Sequence, residues 1–215
     1  MIITAILPSP RHPGRFAVMI DGKQGAMLSI DAVERLRLGT GVEIDERMLA
    51  AIEREAAILG TYDRAVAMLA ARGRASAELR RLLVRKGEPA DRVTVAIERL
   101  TAEGYLDDAA YARQFAHSKI TGVGLSKRRL QQELGKRGVA RDVAEQAVGD
   151  VFESEGVDDS ASIERVARKK LRSLGGADEA TRRRRLYAFL ARRGYDADAI
   201  ANVMRAIGAG DDTEL

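Results

Sequence analysis

Cysteine and tryptophan are absent from the 215-residue chain, and histidine occurs only at His12 and His117. A disulfide framework, a thiolate metal site and a cysteine nucleophile are therefore excluded, and a histidine-rich metal site or catalytic triad lacks parts. Aromatic residues make up 4% of the chain, four Phe and five Tyr, which leaves few rings on which unpaired bases could stack. No apolar run approaches the ~20 residues that span a bilayer, and no basic segment precedes the apolar stretch Met1 to Leu7. The expectation is a soluble, cytoplasmic protein with no membrane partner.

What the chain has in quantity is charge. Lys and Arg number 36 against 32 Asp and Glu, for a formal charge of +4 and a pI of about 9.5. Mild basicity is compatible with an anionic partner without identifying one. Phosphate-cradling motifs fail in detail. Gly22-Lys23 is followed by Gln24, Gly135-Lys136 is not followed by Ser or Thr, and Gly122-Val123-Gly124 does not follow a strand. Neither histidine has a second His at ligand spacing or a serine to serve. No cofactor, metal or catalytic residue is expected, and the chain reads as a non-enzyme.

The first thirty residues are β-prone. Ile2 to Leu7 and Phe16 to Ile20 are short apolar runs separated by Pro8, Pro10, Pro13 and Gly14, and Asp21-Gly22 signals a turn before Ala26 to Leu28. Such a patch must lean on helices. Asp31 and Glu34 have capping-box spacing for a short helix closed by Gly39-Thr40-Gly41. Leu49, Ile52, Ala56 and Leu59 then recur at helical spacing until Gly60, which predicts a break before Tyr62.

A threefold repeat occupies the rest. With Gly87, Gly138 and Gly194 aligned, Leu79, Leu130 and Leu186 stand eight residues earlier, and Leu83, Leu134 and Leu190 four earlier. Asp91, Asp142 and Asp198 stand four residues later, and apolar positions such as Ile97, Val148 and Met204 follow in step. The pattern predicts a helix ended by a left-handed glycine, then a helix capped by the aspartate, with Glu145 completing a box in the second copy. Asp63 to Arg72, Asp108 to Ile120 and Ile163 to Leu174 supply a further amphipathic segment ahead of each pair. The expected fold is mainly α: tandem three-helix repeats in an elongated curved array with a small N-terminal strand and helix patch. Expected boundaries are 1–61 for that patch and a linking helix, 62–106, 107–156 and 157–207 for the repeats, and 208–215 for a disordered tail. The glycines land 51 and then 56 residues apart, and the loops at Gly122 to Gly124 and Gly175-Gly176 read as hinges. A capped array of this kind is expected to be a monomer.

Basic clusters are the remaining candidates for a site. Arg85 and Lys86, Lys136 and Arg137, and Arg192 and Arg193 precede the three glycines, where cations complement the negative end of a helix for ~0.3–1 kcal/mol each. Arg80 and Arg81, then Lys127, Arg128 and Arg129, then the run Arg182 to Arg185 exceed what capping asks for. Four consecutive arginines sweep about 300° of a helix, and in a first turn the dipole disfavours them, which points to an external anion or acidic partner. The candidate binding set of basic faces is thus Arg80, Arg81, Arg85, Lys86, Lys127, Arg128, Arg129, Lys136, Arg137, Arg184, Arg185, Arg192 and Arg193.

The stretch Leu100 to Gly138, LTAEGYLDDAAYARQFAHSKITGVGLSKRRLQQELGKRG, resembles the central motif of the RecX family, bacterial regulators of the RecA recombinase. Asp108, Tyr111, Ala112 and Phe115 match its Asp-x-x-Tyr-Ala-x-x-Phe helix, and Gly122, Gly124, Leu130, Glu133, Leu134 and Gly138 its following loop and helix. Arg74, Glu78, Leu79, Leu83, Lys86 and Gly87 resemble the first-repeat pattern, with Ala75 in place of the usual Ser. The resemblance covers Tyr62 to Ile207 and implies three three-helix units that lodge on a RecA–DNA filament, suppress ATP hydrolysis and strand exchange, and bind DNA weakly and non-specifically. The residues alone leave open a direct DNA-binding regulator built on helix-turn-helix-like pairs, although the segments after Asp91 and Asp142 offer few polar base-reading groups. Tyr111 and Phe115, four apart, are expected in the core.

Overall fold

The computed structural model describes residues 1–176 and 178–211 and divides into two compact units. The first comprises Met1–Arg74 and Glu78–Leu106 and the second Ala75–Ala77 with the chain from Asp107 onward.

In the first unit, β1 (Ile3–Pro8), β2 (Arg15–Ile20) and β3 (Lys23–Ser29) form an antiparallel sheet in that order. Asp21 and Gly22 both take positive φ, 47° and 77°, as a tight two-residue hairpin turn requires. Alternation places Ile3, Val18 and Leu28 in a core shared with Ile44 and Ile52. Helix α1 (Ile30–Arg35) is capped by Ser29, whose hydroxyl accepts from the Ala32 N–H, so Asp31 lies in its first turn and not at its cap. Arg37 adopts φ 52° just beyond the helix, which ends before the glycines at 39 and 41.

Helix α2 (Glu46–Ala71) starts at the N-cap Asp45 and runs 26 residues without a break. The interruption expected at Gly60 is therefore absent. A glycine costs a helix about 1 kcal/mol, and burial of Ile58, Leu59, Thr61 and Ala65 around it outweighs that. Thr61 donates to the Glu88 carboxylate (2.6 Å), which ties the middle of α2 to the turn after α3 (Ser76–Arg85). The latter part of α2, α3 and α4 (Ala90–Ala102) enclose Leu79, Leu83, Val93, Ile97 and Leu100.

The second unit contains α5 (Asp108–Gly122), α6 (Lys127–Arg137) and α7 (Arg141–Ser154), followed by α8 (Asp159–Arg172), α9 (Glu179–Arg192) and α10 (Ala197–Asp211). Leu130, Leu134, Val148 and Phe152 centre the first three, with Tyr111 and Phe115 half-buried against them; Ile163, Ala167, Leu186, Leu190 and Ile200 centre the last three. Of the expected tail, residues through 211 belong to α10, and 212–215 lie outside the described residues.

The aligned glycines behave alike. Gly87, Gly138 and Gly194 take φ 91°, 89° and 88°. The following N–H groups, of Glu88, Val139 and Tyr195, donate to the carbonyls of Leu83, Leu134 and Leu190 at 3.1, 3.2 and 3.4 Å. Each helix thus closes with the same six-to-one bond onto the same fully buried leucine. The aspartates do not cap. Pro89 and Ala140 are the N-caps of α4 and α7, neither with a side-chain bond, and Asp91, Asp142 and Asp198 sit inside their first turns, where the positive helix end favours them. Asp196 accepts from the Ala199 N–H at the start of α10, and Glu145 pairs with Arg141 in place of the expected box.

The residues between α5 and α6 are fastened, contrary to the expected hinge. A Cβ on Gly124 would come within 2.3 Å of Val166, and one on Gly194 within 2.5 Å of the Arg129 Cβ. Ser126 N–H donates to the Arg193 carbonyl (3.1 Å), and Tyr195 Oη donates to the Gly124 carbonyl (3.3 Å). Polar backbone groups are buried there only because these partners satisfy them.

Candidate functional site

The basic residues divide by what they touch. On α3, Arg80 is half-buried and donates to the Thr94 hydroxyl (2.7 Å), while Arg81, Arg85 and Lys86 are exposed. On α6, three cations converge on one carboxylate. Arg129 (2.9 Å), Lys136 (3.4 Å) and Arg137 (3.1 Å) all pair with Glu133. The bond from Arg137, then those of its neighbours, hold the Glu133 carboxyl below the usual range against a smaller opposing effect of burial. Arg137 also lies over the Phe115 ring, 4.4 Å from its centre, and Lys127 over Phe152 at 4.8 Å. Arg128 spends its guanidinium on the Gly194 carbonyl, at 3.2 and 3.3 Å. Much of the second repeat's positive charge is thus neutralised or turned to internal use.

On α8 and α9 the balance differs. Arg184, Arg185 and Arg192 are exposed and, with Lys170, Leu174 and Ala188, line an open depression of about 390 Å³. Lys170 also lines a second groove, of about 470 Å³, together with Arg165, Lys169 and Arg193. Neither depression has an acidic residue in its wall. Among the described residues, none of these seven cations has a carboxylate within ion-pair distance. Arg193 lies on the Phe189 ring, 3.6 Å from its centre, and donates Nε–H to the Val123 carbonyl (2.7 Å). Burial pushes its pKa below the ordinary arginine value, with neighbouring Arg192 adding to the effect.

The arginine run at the start of α9 is partly explained locally. Asp178 caps the helix by accepting from the Thr181 N–H (2.9 Å); that bond, with a smaller attraction from Arg185, lowers its carboxyl pKa. Arg165, Lys169 and Lys170 were not singled out by the sequence. The only local signal was the concentration of Lys169, Lys170 and Arg172 in the last turn of α8, a position where cations are ordinary. Among the described residues no three His, Asp or Glu side chains converge as a metal site, and no helix is long and apolar enough to cross a membrane. His117 pairs with Glu155 (2.7 Å).

Comparison with known proteins bears on this arrangement. Residues 107–148 match the model of the second three-helix domain of RecX, and 158–204 that of the third. A protein of Amycolatopsis mediterranei named regulatory protein RecX is 41% identical over 132 residues, 60% of this chain and 71% of that protein. Its namesake in Mycobacterium avium is 38% identical over 143 residues, 65% of this chain and 79% of that protein. The crystal structure of a regulatory protein RecX superposes with a TM-score of 0.77 over 95% of this chain and 98% of that one, at 20% identity. The structure of RecX from Lactobacillus salivarius does so with 0.57 over 71% and 97%, at 16% identity. Those two likenesses concern the fold, while the sequence relatives carry the assignment: the chain belongs to the RecX family of regulatory proteins.

Proposed function

We propose that this chain is a non-enzymatic regulator of RecA, in the main an inhibitor. It binds RecA–DNA filaments and modulates ATP hydrolysis, strand exchange and recombinational repair. The observation that carries the reading is the cationic surface of α8 and α9, where Arg184, Arg185 and Arg192 are exposed beside the half-buried Lys170, and none of the four has a carboxylate of the described residues within ion-pair distance. A filament coated with phosphates and acidic side chains supplies the missing charge.

Within this reading, Arg184, Arg185, Arg192 and Lys170 make the main contacts. Lys127 in the same unit adds to them, Arg81, Arg85 and Lys86 offer the first unit's own contacts, and Arg80, Arg128, Arg129, Arg137 and Arg193 chiefly hold helices in place. Direct, sequence-specific DNA reading is less well supported, because Thr94 near the start of α4 is engaged by Arg80 and Arg141 at the start of α7 by Glu145. Co-sedimentation with RecA filaments on single-stranded DNA, at rising salt, tests the proposal. The chain should pellet with filaments at concentrations that leave bare DNA unoccupied, and binding should fall steeply with salt. Equal affinity for filament and bare DNA would contradict it.

A further inference from the structure

We infer that the groove bordered by the end of α5, α8 and α9 is a docking site for an acidic peptide segment of the protein partner that carries an apolar side chain, and not a nucleic-acid site. The inference rests on the regulator reading and specifies what one of its surfaces holds. Arg165, Lys169, Lys170 and Arg193 stand around the groove, and its apolar lining is Val123 and Phe189 with the buried Ile120 and Val166 behind them. At about 470 Å³ it lies in the size range of clefts that enclose a small ligand.

The cations supply the charge complementarity. Arg193 is already ordered by the Phe189 ring and the Val123 carbonyl, so little further entropy is lost when its remaining N–H groups meet a carboxylate. Arg165 donates to the Ile120 carbonyl at a long 3.5 Å. The lining decides between the two polyanions. A phosphodiester backbone has nothing to place against the exposed Val123, and a base finds the Phe189 face occupied by Arg193. An acidic segment with an apolar side chain satisfies both features at once.

Three full-length variants test this against filaments of the cognate RecA on an oligo-dT strand with a slowly hydrolysed ATP analogue, and against the same oligonucleotide bare. Thr121→Trp and Ser173→Trp fill the groove without changing charge; both positions are exposed, and their hydroxyls bond locally, to the carbonyls of His117 in α5 and of Lys170 in the last turn of α8. Lys169→Glu with Lys170→Glu reverses the charge. Each should weaken filament binding at least tenfold at unchanged helicity, and the tryptophan variants should bind the bare strand within twofold of wild type. Wild-type filament binding by both tryptophan variants would overturn the inference. So would parallel losses on filament and bare strand, which would put nucleic acid in the groove. A wild-type protein with no preference for the filament would instead sink the regulator reading itself, and this inference with it.

Discussion

The phenol oxygen of Tyr195 lies 3.1 Å from the hydroxyl of Ser162, and both side chains are buried. With its second bond, to the Gly124 carbonyl, Tyr195 ties the turn after α9 to α8 and to the residues following α5. The same repeat position holds Glu88 in the first copy, whose carboxylate makes a different tie, to Thr61, and the apolar Val139 in the second. Tyr195→Phe strands the Gly124 carbonyl and the Ser162 hydroxyl, and should cost about 1–3 kcal/mol. Urea unfolding followed by circular dichroism reads it, and a loss below about 0.5 kcal/mol would show that the bonds are dispensable.

The three aligned glycines should respond unequally to alanine. All have φ near 90°, so each substitution costs roughly 1–2 kcal/mol in backbone strain. Gly87 has open space where a Cβ would go, whereas at Gly194 it would meet Arg129 at 2.5 Å and the Ser126 hydroxyl at 2.8 Å. Thermal melts should rank Gly194→Ala as more destabilising than Gly87→Ala. Equal shifts would mean that the turn moves away from α6 without cost.

Acid should weaken the second repeat through Glu133. Its folded pKa lies below the ordinary value of 4.5, first because Arg137 bonds to it. Such a carboxylate contributes stability that is fully present above the unfolded pKa and is lost as pH falls through the folded one. Glu133→Gln should therefore be less stable than wild type at pH 7, and the gap should close as pH falls below about 4.5. A gap that stays constant to pH 3 would assign the loss to packing.

Reversal of charge should matter more on α9 than on α6. Arg184→Glu with Arg192→Glu removes two exposed cations with no carboxylate of the described residues within ion-pair distance, and should lower filament affinity about tenfold or more, or 1.4 kcal/mol. Lys136→Glu alters a residue already 3.4 Å from Glu133 and should cost less than threefold. Anisotropy titrations at fixed salt compare them, and the reverse ranking would move the contact surface to the second repeat.

The parts of this structure that were legible in the sequence are those fixed by local chemistry. A glycine eight residues after a core leucine and four before an aspartate placed all three helix ends correctly, because a left-handed position favours glycine wherever it occurs. The caps were misread by two residues, since aspartate suits the first turn almost as well as the N-cap. Gly60 was misread because burial on either side of it, not its own propensity, decides whether α2 continues. Convergence on Glu133 could have been found: Arg129 and Arg137 stand four residues to either side, the spacing at which helical side chains meet. The groove on α8 and α9 could not, because its wall at Val123 and Gly124 comes from about seventy residues upstream of Arg193, and nothing local announces that approach.

DNA-dependent ATP hydrolysis by the cognate RecA, with this protein titrated in at fixed salt beside its binding curve to the same DNA alone, tests the central claim most directly. The account predicts inhibition at protein concentrations well below those that coat the DNA. Inhibition only at DNA saturation, or none at all, would contradict it.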